Sequence, residues 1–239
     1  MAENHFIHAG SEKKPRVQAM FNRIARRYDF LNHALSLGID IRWRKRALEM
    51  LGLKNGERLL DVATGTADMG ILALENAAIE IIGLDFAYGM LTYGQKKLRA
   101  GKLTSQIKLI QGDAEHLPLA DESVDAISIA YGMRNLGFIE TSLAEFYRVL
   151  RPGGRVAVLE FSLPPGKLFG PVFNFYFQKI LPFFGGLFSN KSDYTYLPES
   201  VRHFPSRVDF MDLMLNEGFS DVVHRDLTFG VSTIFFARK

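Results

Sequence analysis

The sequence predicts an α/β fold, a doubly wound and mostly parallel sheet, and three observations predict it. Leu59 to Asn76 reads as strand, tight loop, helix: an apolar run closes on Asp61, the small residues Ala63, Gly65 and Ala67 follow, and apolar residues then recur at helical spacing. Two later apolar runs also end in a carboxylate, at Asp85 and Asp113. Between the runs lie helical patterns, the alternation expected of a parallel sheet covered on both faces. With 239 residues, 47% of them hydrophobic, the chain can bury the core of one domain with additions.

In chain order, residues 1 to about 13 are polar and are expected to be mobile. Helical spacing over Pro15 to Ile24 and Ile41 to Leu51 predicts an N-terminal helical cover within residues 1–56. Strands are expected at about 57–62, 79–85, 106–111, 124–131 and 154–162, with helices at about 67–77, 87–100 and 139–150. Pro152-Gly153-Gly154 should break the last of these helices and turn the chain into the fifth strand. A final helix at about 206–217 precedes two β-rich stretches, Phe219 to Asp226 and Val231 to Arg238, which read as an antiparallel pair at the sheet edge. Residues 163–205 form an insertion rich in Phe and poor in charge, too apolar for a solvated loop. It either completes the core or forms a lid over an apolar substrate. As a lid it would carry Phe173, Phe177 and Ile180 on one helix face, at the membrane interface, with Lys179 snorkelling.

The absence of cysteine excludes disulfides, thiolate metal sites and a cysteine nucleophile. The six histidines show no ligand spacing, so no metal is expected. A net charge of +3 is too small to argue for nucleic acid, and Tyr28, Phe30 and Trp43 are too sparse for a stacking platform. The charge is uneven: twelve basic and six acidic residues up to Arg58 leave the N-terminal quarter at about +6. That surplus is either a solvated helix face or an attraction to anionic lipid headgroups. No run is apolar and long enough to span a bilayer, and Met1 to Gly10 holds no signal-peptide core, so a cytoplasmic protein with peripheral membrane contact is expected. An oligomer is compatible with all of this.

The loop after the first strand differs from the Gly-x-Gly-x-x-Gly order of dinucleotide enzymes, which disfavours a nicotinamide-dependent oxidoreductase. An acidic residue followed by Ala63, Gly65 and Ala67 at every second position resembles the first motif of AdoMet-dependent methyltransferases. Two of the usual three glycines are alanines, and Ala67 requires either a φ below zero or a strained backbone. Asp85 stands where a doubly wound fold places an acceptor for ribose hydroxyls. Asp113 and the backbone of Ala114 close the third strand, and Gly132-Met133-Arg134-Asn135-Leu136 follows the fourth.

Together Asp-Val-Ala-Thr-Gly-Thr (61–66), Gly-Leu-Asp-Phe (83–86), Gly-Asp-Ala-Glu-His-Leu-Pro (112–118), Gly-Met-Arg-Asn (132–135) and Arg-Val-Leu-Arg-Pro-Gly-Gly-Arg (148–155) resemble the ubiquinone/menaquinone biosynthesis C-methyltransferases, the demethylmenaquinone methyltransferases among them. The opening from Met20 to Asn32 is similar to that family's, so the resemblance covers nearly the whole chain. It implies a Rossmann-like fold, S-adenosyl-L-methionine (AdoMet) as cofactor and a polyprenylated quinol as substrate. Asp85, with Phe86 beside it, would hold the ribose. Asp113 and Ala114 would meet the adenine, Gly65 and Thr66 the amino-acid part, and Asp61 the ammonium. Arg134 and Asn135 are the catalytic candidates: Arg134 to stabilise a phenolate or polarise a water, Asn135 to orient the water or ring oxygen. A structural ion pair is the competing reading of Arg134, and Tyr131 and His203 stand in reserve. Ala130 replaces a serine that some members carry near the cofactor. Another small apolar acceptor, or AdoMet binding without catalysis, are the alternative functions.

Overall fold

The structure is a computed structural model that describes residues 13–29, 33, 36–164 and 191–239. Its strands are β1 (Arg58–Val62), β2 (Glu80–Asp85), β3 (Ile107–Gln111), β4 (Val124–Ala130), β5 (Leu150–Phe161), β6 (Ser220–Leu227) and β7 (Ser232–Arg238). They form one sheet in the order β3-β2-β1-β4-β5-β7-β6. The first five strands run parallel, and β7 is antiparallel to both β5 and β6. The chain leaves β1 toward β2 on one side and later returns to place β4 on the other. This reversal opens a crevice at the carboxyl ends of β1 and β4, where ligands bind in open α/β sheets.

The described helices are α1 (Lys13–Ile24), α2 (Ile39–Leu51), α3 (Asp68–Ala73), α4 (Tyr88–Ala100), α5 (Ile139–Val149), α6 (Lys191–His203) and α7 (Arg207–Asn216). The period-2 pleat divides the buried strand residues between two layers. Leu60, Val62, Ile127, Ile129, Val156, Val158 and Phe235 face α5 and α7, meeting Phe146 and Phe210. Leu59, Ile81, Ala126, Ala157, Leu159 and Ile234 face α2, α3 and α4. Fully buried aromatics such as Phe146, Phe210 and Phe235 each contribute about 1.5–3 kcal/mol of burial free energy.

The predicted alternation and the antiparallel edge pair are both present, and three boundaries differ. The fifth strand begins at Leu150, which pairs with Val124 before a register shift brings Ala126 opposite Arg155. Pro152-Gly153-Gly154 is therefore accommodated inside the strand as an irregularity and does not precede it. The helix after the first loop spans only Asp68–Ala73. Lys13, expected at a mobile end, is instead a buried residue in the first turn of α1. Of the insertion, α6 is described, whereas the stretch carrying Phe173, Phe177, Lys179 and Ile180 lies outside the described residues, as do residues 1–12.

Candidate cofactor cleft

The loop after β1 makes a tight turn between strand and helix by taking positive φ at Ala63 (49°), Gly65 (58°) and Ala67 (70°). The expectation for Ala67 is thus resolved on the strained side, with the alanine serving as the left-handed N-cap of α3. Gly65 suits this left-handed position, and a Cβ there would come to 3.2 Å from Met90 Cε, so that the methionine tip would have to give by a few tenths of an ångström. Its N–H donates to Asp85 Oδ2 at 2.8 Å, joining the first loop to the end of β2.

Asp85 is the charged centre of the cleft. Its other oxygen, Oδ1, accepts from Ala87 N at 2.8 Å. Each oxygen therefore retains capacity for a further donor. Burial pushes its pKa up to about 6, against the downward pull of the backbone N–H groups of Ala87, Gly65 and Phe86. The floor of the cleft is made by Ala63, Gly65, Leu84, Asp85, Gly112 to Glu115 and Ala130 to Gly132, and one wall by Asn135 to Gly137. The opposite wall is α1, through Lys14, Val17, Gln18 and Phe21, with Tyr28 at its end. The space amounts to about 720 Å³ including the open solvent at its mouth.

Of the residues expected to touch cofactor, Gly65, Asp85, Phe86, Asp113 and Ala114 line this cleft together. Asp113 Oδ1 accepts from Glu115 N at 3.0 Å and its Oδ2 pairs with Lys14 Nζ at 2.7 Å. Partial burial acts upward on this carboxyl, but Lys14 and the Glu115 N–H hold it below the usual range. Asp61 and Thr66 are not brought to the wall. Asp61 lies in the sheet interior, accepting from Thr64 Oγ1 at 2.5 Å and Ser128 Oγ at 2.7 Å, with its pKa pushed up to about 6 by burial. Thr66 donates to Asp29 and receives Lys97 Nζ at 3.2 Å.

The two catalytic candidates separate. Asn135 lines the cleft; its Nδ2 donates to the Tyr131 carbonyl at 3.0 Å and its Oδ1 accepts from the Tyr196 hydroxyl at 2.9 Å. Arg134 does not line it. Its guanidinium is buried on Glu160 at 2.5 Å, also donates to the Tyr131 carbonyl at 2.7 Å, and lies 5.4 Å from the centre of the Phe161 ring. Of the two readings of Arg134, the ion pair is present: Glu160 is fully enclosed on neighbouring β5 and pairs with this guanidinium. Tyr131 reaches the cleft floor, held by stacking on Phe161 at 4.4 Å, while His203 is exposed and bonds Glu199 O at 2.8 Å.

Sequence reading expected an N-terminal helical cover but named neither the α1 residues that line the cleft nor a role for Glu115. A signal was available, since Lys14, Val17, Gln18 and Phe21 fall at i, i+3, i+4 and i+7 and so share one helix face. Buried Glu115 braces the far wall by accepting from the N–H groups of Gly137 (2.8 Å) and Phe138 (3.0 Å). The donor set suits AdoMet: Asp85 has acceptor capacity for a ribose diol, Leu84, Phe86 and Met90 give apolar flanks, and Gly65 leaves the backbone open to close approach.

Comparison with known proteins agrees with this geometry. The chain is 43% identical over 231 residues to the ubiquinone/menaquinone biosynthesis C-methyltransferase UbiE of Geobacter sulfurreducens, covering 96% of this chain and 90% of that one. It is 47% identical over 217 residues to the demethylmenaquinone methyltransferase of Thermus thermophilus, covering 90% and 97%. Among solved structures, a SAM-dependent methyltransferase from Thermotoga maritima, described as a possible histamine N-methyltransferase, matches with a TM-score of 0.65 at 20% identity. That match covers 93% of this chain and 99% of the other, and it shows the shared fold. The model of the ubiE/COQ5 methyltransferase family matches residues 9–239, and the chain belongs to that family.

Proposed function

We propose that the protein methylates a ring carbon of a polyprenylated quinol with AdoMet, converting demethylmenaquinol to menaquinol, and that it also accepts the corresponding ubiquinol precursor. The observation that carries this reading is the family match across nearly the whole chain, including relatives named for both quinones and for demethylmenaquinone. Bound in the cleft, AdoMet supplies an electrophilic methyl group. Asp85 accepts hydrogen bonds from the ribose diol, Asp113 and the Ala114 backbone meet the adenine, and the 63–67 loop receives the amino-acid part. Asp61 acts from behind this loop by fixing Thr64 and Ser128.

A ring carbon becomes nucleophilic when a neighbouring hydroxyl ionises and its charge reaches the ortho position. The ring carbon takes the methyl as the methyl–sulfonium bond breaks and the neutral thioether, S-adenosylhomocysteine, leaves; the same carbon then loses its hydrogen as a proton to water, which restores the aromatic ring. Asn135 stands at the cleft wall where it can orient the ring oxygen or a water, its amide fixed by Tyr131 and Tyr196. Arg134, its charge answered by Glu160, supports that loop from behind through its bond to the Tyr131 carbonyl. Contact with the membrane surface gives access to such a substrate. No helix among the described residues is long and apolar enough to cross a membrane.

The deciding assay incubates the protein with methyl-labelled AdoMet and reduced demethylmenaquinol, and locates the label by mass spectrometry and NMR. Label on the ring carbon, formed only from the reduced substrate, is expected. Label on oxygen, or equal reaction of the oxidised quinone, would refute the chemistry.

A further inference from the structure

Lys13 and Lys14 open α1 side by side and grip the two sides of the cleft differently. Lys14 Nζ lies 2.7 Å from Asp113 Oδ2 and 2.6 Å from Glu115 Oε2. Lys13 Nζ donates to the backbone carbonyls of Arg134 (2.8 Å) and Leu136 (3.0 Å). The 134–138 loop is thus held at its carbonyls by Lys13 and at its N–H groups by Glu115, and Glu115 is itself tied to α1 through Lys14. Asn135 lies between the two carbonyls that Lys13 holds.

Lys13 is only 8% exposed. Burial, then the Arg134 guanidinium, pull its pKa down to about 8, while Glu115 and Glu160 act upward. Tyr196 presents a hydroxyl from α6 to the same loop. A methionine of similar length would fill this place at lower electrostatic cost, so what the ammonium adds is its pair of hydrogen bonds to the loop.

We propose that Lys13 is a positioning residue for methyl transfer: it orders the Arg134–Leu136 backbone, and with it Asn135, only when α1 is seated over the cleft, so that closure over the cofactor and order on the acceptor side are one event. The proposal rests on the reading of the cleft as an AdoMet site with the acceptor beside Asn135. Lys13 needs no contact with either substrate. Its effect passes through the loop, and because Lys14, Gln18 and Asn22 still seat α1 without it, the loss should appear far more in turnover than in cofactor affinity.

The test compares Lys13→Met and Lys13→Arg with the unmodified full-length protein. Hydrogen exchange without ligand should be at least tenfold faster at amides 133–138 in Lys13→Met, with the sheet amides unchanged, and nearer to normal in Lys13→Arg. Turnover of reduced demethylmenaquinol should fall at least tenfold in Lys13→Met while the Kd for AdoMet stays within threefold. The ratio of kcat in Lys13→Arg to that of the unmodified protein should rise as the pH passes upward through about 8, because the guanidinium keeps the charge that the ammonium loses. Unchanged exchange at 133–138 would overturn the proposal, as would faster exchange across the whole sheet together with lost AdoMet binding. If the unmodified protein methylates no quinol, the functional reading fails, and the exchange measurement still decides the loop coupling.

Discussion

Arg134 and Glu160 are both buried, and each answers the other's charge: the pair is worth less for its attraction than for what breaking it exposes. Arg134→Ala would leave an enclosed carboxylate without its cation, and denaturant unfolding should show a loss of about 3–5 kcal/mol. A loss below about 1 kcal/mol would show that Glu160 finds another partner. Asp85 makes the opposite case, a buried carboxylate left with spare acceptor positions. Asp85→Asn should weaken AdoMet binding by about 1–3 kcal/mol in calorimetry, and an unchanged affinity would remove the ribose assignment. The pH dependence has two signs. The folded pKa of about 6 lies above the ordinary 3.8, so the folded state binds the proton more tightly, and the cost of burying the charge is present above about pH 6 and relieved below it. Acidification through that value should raise the share of ligand-free stability governed by Asp85 while lowering AdoMet affinity. The affinity change should vanish in Asp85→Asn, whereas Asp61, shifted in the same direction, should preserve part of the stability change. Asp85 was legible in the sequence because its place follows from a strand ending. The fate of Arg134 was not, since it depends on the pairing of β4 with β5, which brings residue 160 beside residue 134.

At the scale of elements, the β1–α3 corner shows what its alanines require of their neighbours. Ala67 occupies a left-handed conformation that costs an alanine about 1–2 kcal/mol, of which glycine would return part through its own greater freedom when unfolded. Ala67→Gly should therefore stabilise the protein by about 0.5–1 kcal/mol in thermal or denaturant unfolding, and a destabilisation would mean that the methyl group's packing in the buried layer outweighs the strain. Ala63 sets a condition across the crevice: a Cβ added at Gly132 would approach its Cβ to 2.5 Å and Ile129 Cγ1 to 3.0 Å. Glycine is needed at that point because two parallel strand ends come close beneath the cleft. Most strands and helices could be read from periodicity, since a pleated strand between two apolar layers and a helix on one of them leave different spacings. The start of β5 could not, because Pro152 and two glycines look like a break unless Val124 is known to pair with Leu150.

For the whole molecule, the sheet order makes half of the cleft almost inevitable and leaves the other half to a distant segment. Residues at the ends of β1, β2, β3 and β4 converge because the strands are parallel and adjacent, and the place of most of them at the cleft could be read from position. The α1 wall depends on contacts between residues some hundred positions apart, such as Lys14 with Asp113, and no local pattern encodes the partner. The wall is held by side chains reaching across: Lys13 to the Arg134 and Leu136 carbonyls, Lys14 to Asp113 and Glu115, Gln18 to the Phe86 carbonyl at 2.7 Å, Asn22 to the Gly89 N–H at 2.7 Å, and Phe21 packed on Ala87 and Met90. Such a segment belongs to the part of a fold that opens locally at low free energy. If AdoMet binds only with α1 seated, a concentration of about 100 times its Kd adds about 2.7 kcal/mol to the closed state. Trypsin cleavage after Arg16 and Arg23 in α1 should then slow by about a hundredfold under saturating AdoMet, while cleavage after Lys102, in the exposed turn beyond α4, should not change. Equal slowing at both places would indicate global stabilisation, and no slowing in α1 would show that cofactor enters and stays bound without that helix.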